Sequence, residues 1–137
     1  MKFFYSAAVL VAIVLTLAGC KSTPAKMVVG TWKIGEMDPG IEIPAEQLAK
    51  FEEMMKSVKE SSTMEVKEDG TFIETMITNK LMESSGTWSL SEDGLTFVRT
   101  EDETQITDSL QVVELSDNKF VVAAEDRGRR MVITYIK

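Results

Sequence analysis

From Met27 to the C-terminus, apolar and polar residues alternate mostly with a period of two, and short polar clusters break the alternation at regular intervals. Period-two alternation is the signature of half-buried strands, and Gly, Asp, Asn and Ser clusters mark the turns between them. The pattern predicts strands over residues 27–36, 63–68, 71–78, 81–90, 95–100, 106–115, 119–125 and 130–136. Asp69-Gly70 supplies the positive-φ pair of a tight hairpin, and Asn79-Lys80, Ser91 to Gly94, Glu101 to Thr104, Ser116 to Asn118 and Asp126 to Arg129 are the further turns. Short connections between successive strands favour antiparallel neighbours. Eight such strands form either a closed up-and-down barrel or a sandwich.

Residues 44–60 break this pattern. Leu48, Phe51, Met55 and Val58 fall on one helical stripe with Met54 beside it, and Glu46/Lys50 and Glu52/Lys56 make i,i+4 pairs on the opposite side. Pro44 suits a first helical position, and Glu46 sits well in a first turn. The spacing predicts one amphipathic helix between the first and second strands, lying on an apolar surface.

Ahead of this domain, residues 1–20 read MKFFYSAAVLVAIVLTLAGC. A positive start at Lys2 and a short apolar run ending in small residues fit a secretory signal better than a spanning helix. Leu17-Ala18-Gly19-Cys20 resembles the lipobox of bacterial lipoproteins. That resemblance implies removal of residues 1–19 as a signal peptide and a diacylglycerol on the sulfur of Cys20. It also implies a further acyl chain, such as palmitate, on the new amino group. Three chains at roughly 0.8 kcal/mol per buried methylene would anchor the protein firmly in a bilayer. Residues 20–26 then form the lipidated Cys and a polar tether, and 27–137 a single domain. Lys21 after the Cys, with no acidic cluster behind it, favours the outer membrane and a periplasm-facing domain.

Composition narrows the chemistry. The formal charge is −7, and it becomes one unit more acidic if a leader carrying Lys2 is lost, which argues against nucleic acid as a partner. The chain has no His and a single Cys. His-based triads, Cys/His metal sites and intrachain disulfides are thereby excluded. No nucleophile elbow, phosphate-cradling Gly loop or acidic calcium loop appears, so the expectation is a non-enzyme with no cofactor and no metal.

Gly30-Thr31-Trp32 at the head of the first strand resembles the Gly-x-Trp signature of lipocalins and their calycin relatives. Asp69-Gly70-Thr71-Phe72, Gly86-Thr87-Trp88-Ser89-Leu90 and Asp93-Gly94-Leu95-Thr96-Phe97 resemble, in that order, the lipocalin-like domains of small bacterial lipoproteins. The resemblance spans residues 27–136 and implies an all-β fold, an eight-stranded antiparallel up-and-down β-barrel around a central cavity, with the helix in the connection between strands one and two. Such domains often bind small apolar molecules. Lipocalins usually pack an Arg from the end of the last strand over the signature Trp. Here that end reads Tyr135-Ile136-Lys137, so the place falls to Lys137 or the Tyr135 ring.

In a barrel of this kind the loops alternate ends. With Trp32 at the bottom, the turns at Asp69-Gly70, Asp93-Gly94 and Asp117-Asn118 close one end, and the helix, Asn79-Lys80, Glu101 to Glu103 and Asp126 to Arg130 gather at the other. Gly30, Trp32, Gly86 and Trp88 are expected at the barrel base, either as a structural plug or as a ligand-contacting floor. Parity selects Met64, Val66, Phe72, Met76, Leu95, Phe97, Leu110, Val112, Phe120, Val122, Met131 and Ile133 as inward-facing cavity residues, with Phe51, Met54 and Met55 capping the pocket. Glu74 shares parity with Phe72 and Met76; pointing inward it would need a partner such as Arg99, whereas a bulge or a position at the rim would leave it wet. Arg127, Arg129 and Arg130 are candidates to receive an anionic headgroup.

The resulting expectation is a membrane-anchored binder of a small apolar or amphiphilic ligand. Its alternative is a solid-core interaction module that docks a cell-envelope protein through its loops.

Overall fold

A computed structural model describes residues 23–137. The leader, the lipobox-like run and Cys20 lie outside the described residues. A short helix α1 (Pro24–Val28) leads into β1 (Gly30–Asp38), and helix α2 (Ala45–Ser61) follows. The chain continues through β2 (Thr63–Val66), β3 (Thr71–Ile77), β4 (Leu81–Leu90), β5 (Thr96–Glu101), β6 (Thr107–Leu115), β7 (Lys119–Asp126) and β8 (Arg129–Ile136). Each strand pairs antiparallel with the next, and β8 returns to β1, so the sheet closes into a barrel rather than folding into two layers. Closure pairs every strand on both sides along at least part of its length, and all eight pairings and the apolar core fall within these residues. They therefore form a self-contained folding unit.

The strand limits follow the turn chemistry. Asp69 and Asp93 each accept the backbone N–H two residues on, at Thr71 and Leu95, and each precedes a glycine at positive φ, Gly70 and Gly94. Two bulges adjust the parity. One between Ile34 and Glu36 in β1 returns Met37 to the interior, and one between Val112 and Glu114 in β6 does the same for Leu115.

Two expectations change at the N-terminal side. Met27 and Val28 belong to α1 and not to the first strand, and Pro24 to Lys26 of the expected polar tether are part of the same helix. Pro24 suits a helix start, and the Trp32 indole N–H donates to the Val28 carbonyl at 2.7 Å, which seats α1 across the base with Val28 fully buried. Gly94 lies against Pro24 of this helix.

The second change concerns α2. Pro44 is its N-cap rather than its first residue. β2 is only four residues long, so the upper parts of β1 and β3 have no strand between them, and α2 stands in that gap, in contact with both. Ser62 Oγ accepts the Ile34 N–H at 2.8 Å, and Ser61 Oγ accepts the Ile77 N–H at 2.8 Å. Two adjacent serines at the helix end thus satisfy the two backbone edges that a longer β2 would have paired. Met55 and Val58 are buried, Phe51 is half-buried, and Leu48 and Met54 are exposed. The helix is a wall element: of the residues expected to cap the interior, Met54 is exposed, Phe51 is half-buried along a groove shared with Met37 of β1, and Met55 is buried.

Candidate binding site at the barrel mouth

The barrel interior divides into two unlike halves. In the base half, aromatic rings meet in sequence: Trp88 and Phe97 at 6.1 Å between centroids, Phe97 and Phe120 at 5.3 Å, Phe120 and Trp32 at 5.7 Å, Phe120 and Tyr135 at 6.0 Å. Trp32, Ile34, Met64, Val66, Phe72, Phe97, Phe120 and Val122 are at most 2% exposed, and Leu110 and Val112 are buried at 9% and 8%. These inward residues pack on one another and fill the base. Eight-stranded barrels are just wide enough to be filled this way. Each fully buried aromatic or aliphatic side chain contributes about 1.5–3 kcal/mol.

Lys137 settles the place that lipocalins give to an Arg. Its Nζ lies 4.6 Å from the centre of the Trp32 ring, and its side chain runs against Gly30, whose φ of +146° sets the entry into β1. Tyr135 instead stacks on Phe120 and turns its hydroxyl upward. Trp88 is half-buried, with its indole N–H donating to the Lys67 carbonyl at 2.9 Å. Gly86 is fixed by close approach, because a Cβ there would run into the Thr100 carbonyl of β5.

Above the rings the character changes. Glu74 is 6% exposed and points inward. Arg99 Nη1 donates to Glu74 Oε1 at 2.9 Å, and the Tyr135 hydroxyl donates to Oε2 at 3.0 Å, so both carboxylate oxygens are satisfied. Glu74 pairs in register with Ser84 on β4, and the small residues Ser84 and Gly86 leave the space through which Arg99, on the far side of β4, reaches it. The Arg99 guanidinium also lies 5.6 Å from the centre of the Phe72 ring. Burial lowers the Arg99 pKa, but Glu74, Tyr135 and Asp108 outweigh it and hold the group above its ordinary value. Burial, reinforced by the Glu74 charge, pushes the Tyr135 phenol well above its usual range, so it serves as a neutral donor.

Glu74 and Arg99 of this triad help line a cavity of about 290 Å³ on the β3–β5 side of the mouth, together with Met76, Met82, Glu83, Ser84 and Glu101, while Tyr135 holds Glu74 from below. Met76 and Met82 are direct cross-strand partners. Two larger grooves flank α2. One of about 540 Å³ runs along β1 and includes Met37, Phe51 and Met55; the other, about 520 Å³, lies toward the β3–β4 turn and includes Met54, Ser57 and Thr78. Exposed apolar side chains ring the loop end: Ile77, Leu81, Met82, Ile106 and Met131.

The sequence-predicted residues therefore separate. Met64, Val66, Phe72, Phe97, Leu110, Val112, Phe120 and Val122 belong to the packed base, with Ile133 partly buried against it. Met76 lines the mouth cavity, whereas Met131 is 36% exposed at the rim. Leu95, at 58% exposed, precedes the first β5 residue and lies in the turn, where strand parity does not apply. Arg127 and Gly128 are the positive-φ turn between β7 and β8, Arg130 pairs with Glu125 at 3.9 Å, and none of the three arginines lines the mouth cavity. Tyr135 was not anticipated as a partner of Glu74, although it shares parity with Ile133 and Met131.

The sequence matches the model of the lipocalin-like domain over residues 28–122. The chain belongs to the lipocalin-like domain family. Solved structures similar to it include an uncharacterized protein from Bacteroides eggerthii at 14% identity and a TM-score of 0.53, covering 80% of this chain and 98% of that one. A lipocalin-like protein from Bacteroides uniformis is 12% identical with a TM-score of 0.53, over 81% and 98% of the two chains. A DUF4847 family protein from Bacteroides vulgatus is 16% identical with a TM-score of 0.52, over 80% and 93%. At such identities the likeness is one of fold. Comparison with curated proteins returned no match. Among the described residues no helix is long and apolar enough to cross a membrane, and no group of three or more acidic or Cys residues is arranged to hold a metal.

Proposed function

We propose that this lipocalin-like domain is a non-enzymatic binder of a small amphiphilic molecule, tethered to the outer membrane through acylated Cys20 and facing the periplasm. The observation that carries the binding half is the cavity above the packed base, where Met76 and Met82 offer apolar wall beside the hydrogen-bonded pair Glu74 and Arg99. Ligand sites are concave and set placed polar groups beside apolar wall, and here five of the seven lining residues are polar or charged. A volume of 290 Å³ is about ten times the share of one liquid water, which suits a ligand of roughly ten heavy atoms. The tether half rests on the Leu17-Ala18-Gly19-Cys20 run.

The binding half is tested by titrating the domain (residues 23–137) with short-chain amphiphiles while following the methyl resonances of Met76 and Met82. Saturable shifts at these two methyls support the site, and shifts confined to the α2 grooves move it elsewhere. For the tether, labelling cells with radioactive palmitate should mark the wild-type chain and leave a Cys20→Ser variant unmarked and released from membranes. The exposed apolar tips at Ile77, Leu81 and Ile106 favour a second reading, in which the rim docks an envelope protein. Charged substitutions at these tips would then abolish co-purification of that partner while leaving small-molecule shifts intact.

A further inference from the structure

The charges around the mouth cavity are unevenly matched. Arg99 is the one cation lining it, and its charge is already engaged by Glu74 at 2.9 Å, with Asp108 directly across the β5–β6 ladder. Glu83 and Glu101 also line the cavity, and neither makes an ion pair among the described residues. Three carboxylates against one guanidinium leave the lining acidic.

Lys80, in the β3–β4 turn, and the arginines of the β7–β8 turn are exposed and do not line the cavity. An anionic headgroup entering here would meet Glu83 and Glu101 before it reached a guanidinium whose charge is spent on Glu74. A cation would meet unpaired carboxylates at the rim and slide its apolar part along Met76 and Met82, whose thioethers adapt to varied shapes. We infer that the mouth of this barrel selects amphiphiles carrying a positively charged amine and rejects carboxylate amphiphiles of the same length. This rests on the binding reading above and adds to it the chemical class of the headgroup.

Octylammonium and octanoate, which share a chain length matched to the cavity, are the probes. Each is titrated into residues 23–137 with the Met76 and Met82 methyl resonances as the readout. The expected result is saturable binding of octylammonium at these methyls, about tenfold tighter than octanoate. The Glu83→Gln/Glu101→Gln double variant, which removes no ion pair, should narrow that preference to about threefold with an unchanged melting temperature. Equal or tighter binding of octanoate overturns the headgroup inference and leaves the site standing. Failure of either probe to move the two methyls overturns the site itself, and a double variant that keeps the full preference shows that Glu83 and Glu101 do not set it.

Discussion

The two ends of this barrel are built from the same eight strands but solve opposite problems. At the base, α1 and tight Asp-Gly turns close the sheet over rings in contact, and Trp32, Phe97 and Phe120 are removed from water almost completely. At the mouth, only the helix-bearing β1–β2 connection is long, the inward positions become Glu74, Arg99, Ser84 and Glu101, and the side chains leave a cavity. The boundary between the two regimes is Tyr135, which stacks on Phe120 with its ring and donates to Glu74 with its hydroxyl. The base supplies cohesion, and the mouth spends some of it on solvated chemistry. A barrel of this size has room for one solid half and one hollow half, with the bulges in β1 and β6 shifting the parity of those two strands along the way.

Substitutions should separate the halves in a graded way. Trp32→Ala is expected to be the most damaging, at about 3–5 kcal/mol, because it opens a cavity in the packed base and removes the indole donor that holds Val28 of α1; urea unfolding measures it. Glu74→Ala should cost about 3 kcal/mol by leaving Arg99 and Tyr135 without their shared acceptor, toward the low end for a buried pair because the Arg99 side chain retains 21% exposure. A Glu74/Arg99 double-mutant cycle checks that the loss belongs to the pair; additive single costs would show that the mouth network contributes nothing. Ser62→Ala should cost about 1–2 kcal/mol, since the buried Ile34 N–H loses its acceptor, and should raise amide exchange along upper β1. Smallest, Lys137→Met should cost about 0.5–1 kcal/mol at its exposed site over Trp32.

The same comparison has a pH signature. Tyr135 is the one tyrosine of residues 23–137. Its folded pKa is raised above the unfolded value, so its contribution to stability is complete below the unfolded pKa and is lost as pH rises beyond it. Tyrosinate absorption should therefore be absent up to about pH 11 and appear together with unfolding. An independent tyrosinate signal near pH 10 in folded protein would show that the boundary between base and mouth is open to water. At the base turns the sign is reversed. Hydrogen bonds from Thr71 to Asp69, and from Ser91 and Leu95 to Asp93, lower both carboxyl pKa values, so these turns should loosen only as pH falls below the ordinary carboxylate range.

Strand number, order and most turns were legible because a closed antiparallel barrel keeps one face wet. Period-two alternation survives in β3, where Phe72, Glu74 and Met76 share a face, and the Glu74–Arg99 partnership was legible by the same parity. The reading failed where a different period or a local break took over. Leu95 sits before its strand, and Met27 and Val28 join α1 because Pro24 starts a helix and Trp32 holds its end. In α2 the apolar stripe runs the length of the helix, but only Met55 and Val58 of it are buried.

Residue order thus determined the alternation, the turn positions, the single amphipathic helix and which side chains share a face, because each depends on neighbours within a few positions. Only the closed structure decided that β8 meets β1, that α2 is wall rather than lid, and that the base is full while the mouth is hollow. Those outcomes depend on side chains as far apart as Glu74 and Tyr135 meeting across the barrel, and the space they fill or leave is a property of the ring as a whole.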